Sequence, residues 1–101
     1  MNTLYIDTSN NKKTIIKLKK ENVEFVLEEE RQSSQTTLPL IEKILKEAKI
    51  RPDEIDEIKV NKGPGSFTGL RVGISIANAL SFGLLRKVND KKIGEIETPI
   101  Y

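Results

Sequence analysis

The 101-residue sequence contains no cysteine and no histidine. Without cysteine there is no disulfide framework, no thiolate nucleophile and no Cys-type zinc cluster. Without histidine the commonest general base and the commonest transition-metal ligand are gone. Any catalysis would rest on Asp, Glu, Lys, Ser, Thr, Tyr or backbone N–H groups, so neither a metal nor a cofactor is expected. Long apolar runs are also missing. The uncharged stretch at residues 72–85 has 14 residues, short of the roughly 20 that a bilayer-spanning helix needs, so no membrane is expected. The start, Met1 to Asp7, has neither a basic n-region nor an apolar h-region, which predicts no signal peptide and a cytoplasmic location. There is no internal repeat or low-complexity linker, and residues 1–101 read as one domain with a modest core. The net charge of +2 and pI of 8.9 do not by themselves argue for nucleic acid.

Charged residues make up 32% of the chain, so the uncharged run stands out. It follows a loop holding Gly63, Gly65 and Gly69 around Pro64, Ser66, Phe67 and Thr68. Gly73, Ala77, Ala79 and Gly83 are poor strand formers, which predicts a helix over 72–85, buried on most sides. Before it, Leu4, Ile6 and Thr8 alternate with polar residues in a strand at 3–8. Ile16 and Leu18 do so at 14–19, and Val23, Phe25 and Leu27 at 23–28. Short turns at Ser9-Asn10-Asn11 and Glu21-Asn22 make these an antiparallel meander. Thr36 or Thr37 caps a first helix with Pro39 in its first turn. Leu38, Ile41, Ile44, Leu45 and Ala48 recur at helical spacing until about Ile50. A fourth strand is predicted at 57–61 and a fifth at 92–97. The order β-β-β-α-β-α-β implies an α/β fold, a mixed sheet with helices packed on it.

Three features carry candidate chemistry. The glycine loop leaves a strand and opens a helix, the geometry of an anion site. It fails the Walker A pattern, because no lysine follows Gly69, and its GxGxxxG spacing departs from the dinucleotide GxGxxG. The other reading is that the glycines serve tight turns and close helix packing. Asp7 and Ser9, at the end of the first strand, suit a metal–phosphate site or an ordinary turn. Lys12, Lys13, Lys17, Lys19 and Lys20 read as a phosphate-binding stripe or as a solvated sheet face paired against Glu24 and Glu28. Phe67 is either a lid on the helix or an exposed anchor.

The long stretch GPGSFTGLRVGISIANALSFGL, with MNTLYIDTS and TTLPLIEKIL before it, closely resembles the TsaB (YeaZ) family. This is the dimerisation subunit of the bacterial machinery that makes threonylcarbamoyladenosine in tRNA. The resemblance covers roughly residues 1–97 and implies the amino-terminal lobe of an actin-like ATPase (ribonuclease H-like) fold. On this reading the family's second, carboxy-terminal lobe is expected to be absent, and the family's usual His-Ser pair is Ser33-Ser34. It further implies a non-catalytic scaffold: a homodimer when alone, and a heterodimer with a TsaD-like catalytic subunit that a TsaE-like ATPase joins. Contact with tRNA would be at most indirect. On this reading Gly63, Gly65, Ser66, Phe67, Thr68, Gly69 and Arg71 form an anion or partner contact. Asp7 and Ser9 are a vestigial phosphate site. The partner face comprises Leu38, Ile41, Ile74, Asn78, Ser81, Phe82 and Leu85. At 100° per residue, Val72, Ile76, Ala79, Leu80 and Gly83 fall on the other side of the helix and are expected against the sheet. The alternatives are a nucleotide-binding phosphotransfer enzyme using the glycine loop, and a small RNA-binding module using the lysine-rich hairpin.

Overall fold

In the computed structural model of the chain, which describes residues 1–30 and 34–100 apart from the side chain of Ser34, the alternating segments form one five-stranded sheet. Strands β1 (Asn2–Asp7), β2 (Thr14–Lys20) and β3 (Val23–Glu29) are followed by helix α1 (Ser34–Ala48). A 3-10 turn (Pro52–Glu54), β4 (Glu57–Val60), α2 (Phe67–Leu84) and β5 (Lys87–Val88) complete the chain. The order across the sheet is β3-β2-β1-β4-β5. The first three strands pair antiparallel, while β4 and β5 run parallel to β1. Both helices cover one face of the sheet. There Leu4, Ile6, Ile16, Leu18, Ile58 and Val60 meet Ile41, Ile44 and Leu45 of α1 and Leu70, Ile74 and Ala77 of α2.

Three predicted boundaries move. Helix α1 begins at Ser34, ahead of the expected threonine cap, so Pro39 lies past the first turn and Thr37 is buried. Ser33 lies outside the described residues. Helix α2 begins at Phe67, because the Ser66 side chain accepts from Gly69 N and caps it; Phe67, Thr68 and Gly69 belong to the helix, not the loop. At 18 residues α2 is long and apolar enough to cross a membrane by length and composition, but its inner side is packed on the sheet. The fifth strand is Lys87–Val88 instead of 92–97. Leu85 takes a left-handed conformation and ends α2, and Arg86 reaches from the helix end to Ile55 O (2.8 Å) and Leu84 O (3.1 Å). This drops Lys87 and Val88 beside Glu57 and Ile58. Asn89 then extends the ladder with its side-chain amide, accepting from Val60 N (2.9 Å) and donating to Val60 O (3.2 Å).

The lysine-rich hairpin does not form one stripe. Lys17 lies over the Tyr5 ring, 5.7 Å from its centroid. Lys19 sits opposite Glu24 in the β2–β3 register. Lys20 Nζ donates to Ala48 O (3.1 Å), placing a cation at the negative end of α1.

Candidate functional site

The glycine loop is built onto the end of β1. Asp7 Oδ1 accepts from Ser9 N (2.9 Å), Ser9 Oγ (2.6 Å) and Asn61 Nδ2 (3.3 Å). Asn61 Nδ2 also donates to Ser9 Oγ (3.2 Å), and Asn61 Oδ1 accepts from Gly63 N (3.0 Å). Ser66 N donates to Ser9 O (2.8 Å), and the buried Thr8 hydroxyl donates to Gly69 O (2.6 Å). The loop therefore lies flat on residues 7–9. A Cβ on Gly65 would stand 2.8 Å from Ser9 O, and one on Gly73 would overlap Thr8 Oγ1. Close approach is what these glycines provide. The Ser9 hydroxyl directs its proton to Asp7, and the Asp7 carboxylate repels an anion placed above the loop. Among the described residues no group of three or more acidic side chains gathers into a metal site. The Phe67 ring is 56% exposed, with the Arg71 guanidinium 5.4 Å from its centroid. It is an exposed ring at the start of α2, not a lid.

The faces of α2 match the sequence reading only in part: Ile76, expected against the sheet, is 9% exposed, and Val72 and Leu80 pack against the core. Ile74 and Ser81, expected on the partner side, are 4% and 2% exposed, and Ile41 of α1 is also buried. Asn78 is engaged by the chain after β5, donating to Glu97 O (3.0 Å) and accepting from Glu97 N (2.8 Å). Leu38, Phe82 and Leu85 are exposed as expected, at 46%, 74% and 64%. Ala79 and Gly83, expected against the sheet, face outward, and nothing lies within 4 Å of a Cβ on Gly83. Side-chain size accounts for the small residues found inside. Gly69, Gly73, Ala77 and Ser81 recur every fourth residue and are all buried, a ridge that lets the helix approach β1 closely. Ser81 is tolerated inside because its hydroxyl donates to Arg86 O.

The exposed side of the helix pair is apolar. Leu38 of α1 lines a groove of 280 Å³ with Ser75, Ile76, Ala79 and Leu80 of α2. It adjoins a second groove formed by Thr68, Arg71, Val72, Ser75 and Ile76. Ser75, Ile76, Ala79 and Leu80 were not among the expected partner residues; the ridge of small residues was the signal that would have placed Ile74 and Ser81 inside.

A third feature was not foreseen. Glu97 is 3% exposed and lines a 550 Å³ cleft with Tyr5, Lys59, Asn61, Lys62, Asn89 and Lys91. Its carboxylate accepts from Asn89 Nδ2 (2.8 Å) and Thr98 N (3.0 Å) and lies 3.7 Å from Lys62 Nζ. Burial pushes its pKa up, but the two hydrogen bonds and the charges of Lys62 and Lys91 outweigh burial and hold it below the usual carboxylate range. Burial, with the charge of Asp7, raises the Tyr5 phenol above its ordinary value.

Residues 26–89, which include both helices and the glycine loop, match the sequence model of the family described as TsaD: tRNA N6-adenosine threonylcarbamoyltransferase. The chain belongs to that family. Within it the chain is 34% identical over 86 residues to the tRNA threonylcarbamoyladenosine biosynthesis protein TsaB of Bacillus subtilis (strain 168), covering 83% of this chain and 38% of that protein. A shorter match, 51% over 45 residues, is to the tRNA N6-adenosine threonylcarbamoyltransferase of Burkholderia pseudomallei (strain 1106a), covering 45% of this chain and 13% of that one. Among solved structures, YeaZ from Pseudomonas aeruginosa superposes with a TM-score of 0.82 at 30% identity, covering 90% of this chain and 43% of that one. The chain thus spans less than half the length of the relatives it matches. Its sheet order and paired helices are those of the actin-like, ribonuclease H-like ATPase fold, and its relatives place it with the TsaB/YeaZ members of the TsaD family.

Proposed function

We propose that the chain acts in making threonylcarbamoyladenosine in tRNA as a non-catalytic scaffold. It forms a homodimer when alone and pairs with a TsaD-like catalytic subunit, which a TsaE-like ATPase joins; tRNA is touched at most indirectly, and the setting is cytoplasmic. The observation that carries this reading is the open apolar groove of Leu38, Ser75, Ile76, Ala79 and Leu80. Soluble monomers rarely leave a contiguous apolar surface uncovered, and small residues among larger ones suit close helix–helix packing. Against a phosphotransfer enzyme stand the tied Asp7 carboxylate and Ser9 hydroxyl. Against an RNA module stands the division of the lysines among Tyr5, Glu24 and Ala48.

The test is to co-express the chain with the TsaD-like protein of its own cell and purify through a tag on the chain. Co-elution at a fixed ratio, lost in Ala79→Glu but kept in Lys17→Glu, is the expected result. Equal capture by Ala79→Glu would place the contact elsewhere. Steady-state ATP hydrolysis by the pure chain, above a heat-inactivated control and lost in Asp7→Asn, would support the enzyme instead.

A further inference from the structure

Among the described residues, the chain beyond β5 has almost no apolar anchor, since Ile93, Ile96 and Ile100 are all exposed. Past Asn89, most of the hydrogen bonds that hold its described residues to the rest of the chain involve Glu97. Glu97 exchanges two backbone hydrogen bonds with the Asn78 amide of α2. Its carboxylate binds Asn89 Nδ2, Thr98 N and Lys62 Nζ, groups after β5, on the segment itself and after β4. Three residues on, Ile100 N donates to Lys62 O (2.7 Å), and the Ile100 carbonyl occupies the space a Cβ on Gly63 would need. Gly63 has φ of 116°, so two constraints at this point admit only glycine.

We propose that residues 95–100 form a strap latched by the Glu97 carboxylate across the start of the glycine loop, and that its release uncovers Asn78 and the adjoining cleft. The chemistry makes the latch reversible. Both carboxylate oxygens are acceptors in this site, and a protonated carboxyl turns one of them into a donor facing Asn89 Nδ2 or Thr98 N, which are donors themselves. Protonation also ends the attraction to Lys62 and Lys91. The other charged or titratable groups lining the cleft are Lys59, Asp90 and Tyr5; α2 contributes the neutral Asn78. Glu97 titrates below the ordinary carboxylate range, so the latch is closed at neutral pH and opens only in acid. No large apolar side chain leaves the core when the strap lifts, so opening is separable from unfolding.

The experiment is nitrogen–proton NMR on the whole chain. At neutral pH, Glu97→Gln is expected to shift the Glu97-neighbouring Thr98 and Ile100 amides and the Asn78 side-chain amide toward unstructured positions. Exchange at Thr98 and Ile100 should speed up by roughly tenfold or more, the scale of losing a charge-assisted hydrogen bond, while Leu4 and Ile6 stay protected. In the unsubstituted chain, acid should move the same strap signals together, below the ordinary glutamate value of about 4.3 and before the core signals. The inference is overturned if Glu97→Gln leaves the strap signals in place, or if strap and core are lost together in both the variant and the acid titration.

Discussion

Gly73 and Gly83 are both glycines of α2, yet they do opposite work. Gly73 lies where the helix crosses the end of β1, and a methyl there meets the Thr8 hydroxyl, itself committed to Gly69 O. Gly73→Ala is expected to lower stability by roughly 1–3 kcal/mol, the usual cost of overpacking. Gly83 has open space around it, and Gly83→Ala should raise stability by about 0.5–1 kcal/mol through backbone entropy. Denaturant melts of the two variants check both; shifts of the same sign would mean that size is not what separates them. Glu97 gives a pH dependence at the same scale. Its folded pKa is depressed, so the unfolded chain takes up the proton first. Its contribution is complete above the unfolded value and is lost as pH falls through the lower folded one. Stability measured from pH 7 into the acid range should fall less steeply for Glu97→Gln than for the unsubstituted chain, and equal slopes would remove Glu97 from the account.

At the scale of elements, the strand and helix order was legible wherever alternation or helical spacing was local. Strands β1 to β4 are strong alternators, and their places agree with the reading to within a residue or two. β5 was not legible, because two residues carry no pattern; it is placed by Arg86 bonding Ile55 and Asn89 bonding Val60, contacts made far along the chain. Ile93 and Ile96, inside the strand expected at 92–97, are exposed. The glycine loop was visible, but its seat on Ser9 and Thr8 is long-range and was not. The orientation of α2 was legible only in part: Val72, Ile76 and Leu80 pack on the core as read, but apolarity alone missed the small residues Gly73, Ala77 and Ser81, which are buried together with Ile74. The consequence can be measured. Ile74→Glu places a charge in the core and should cost several kcal/mol, about the 3–5 of an uncompensated buried charge, enough to unfold a marginal domain. Circular dichroism should show a large loss of the folded signal; a native spectrum for Ile74→Glu would return Ile74 to the outer face.

For the whole molecule, one sheet face is covered by two helices and the other carries charged and polar residues around Tyr5. What remains unexplained by a monomer is the apolar outer side of the helix pair. Phe82 and Leu85 are also exposed, but they are single side chains, and scattered apolar residues are ordinary on a protein surface. The groove lined by Leu38, Ile76, Ala79 and Leu80 is continuous, and a glutamate introduced at the exposed Ala79 would have to be desolvated whenever the groove is covered. Sedimentation velocity of the chain and of Ala79→Glu at micromolar concentration, with circular dichroism on the same samples, tests this most directly. The expected result is a dimer for the unsubstituted chain and a monomer with an unchanged spectrum for Ala79→Glu. A monomer in both cases, or a dimer that Ala79→Glu leaves intact, would contradict the assignment of this face to a partner.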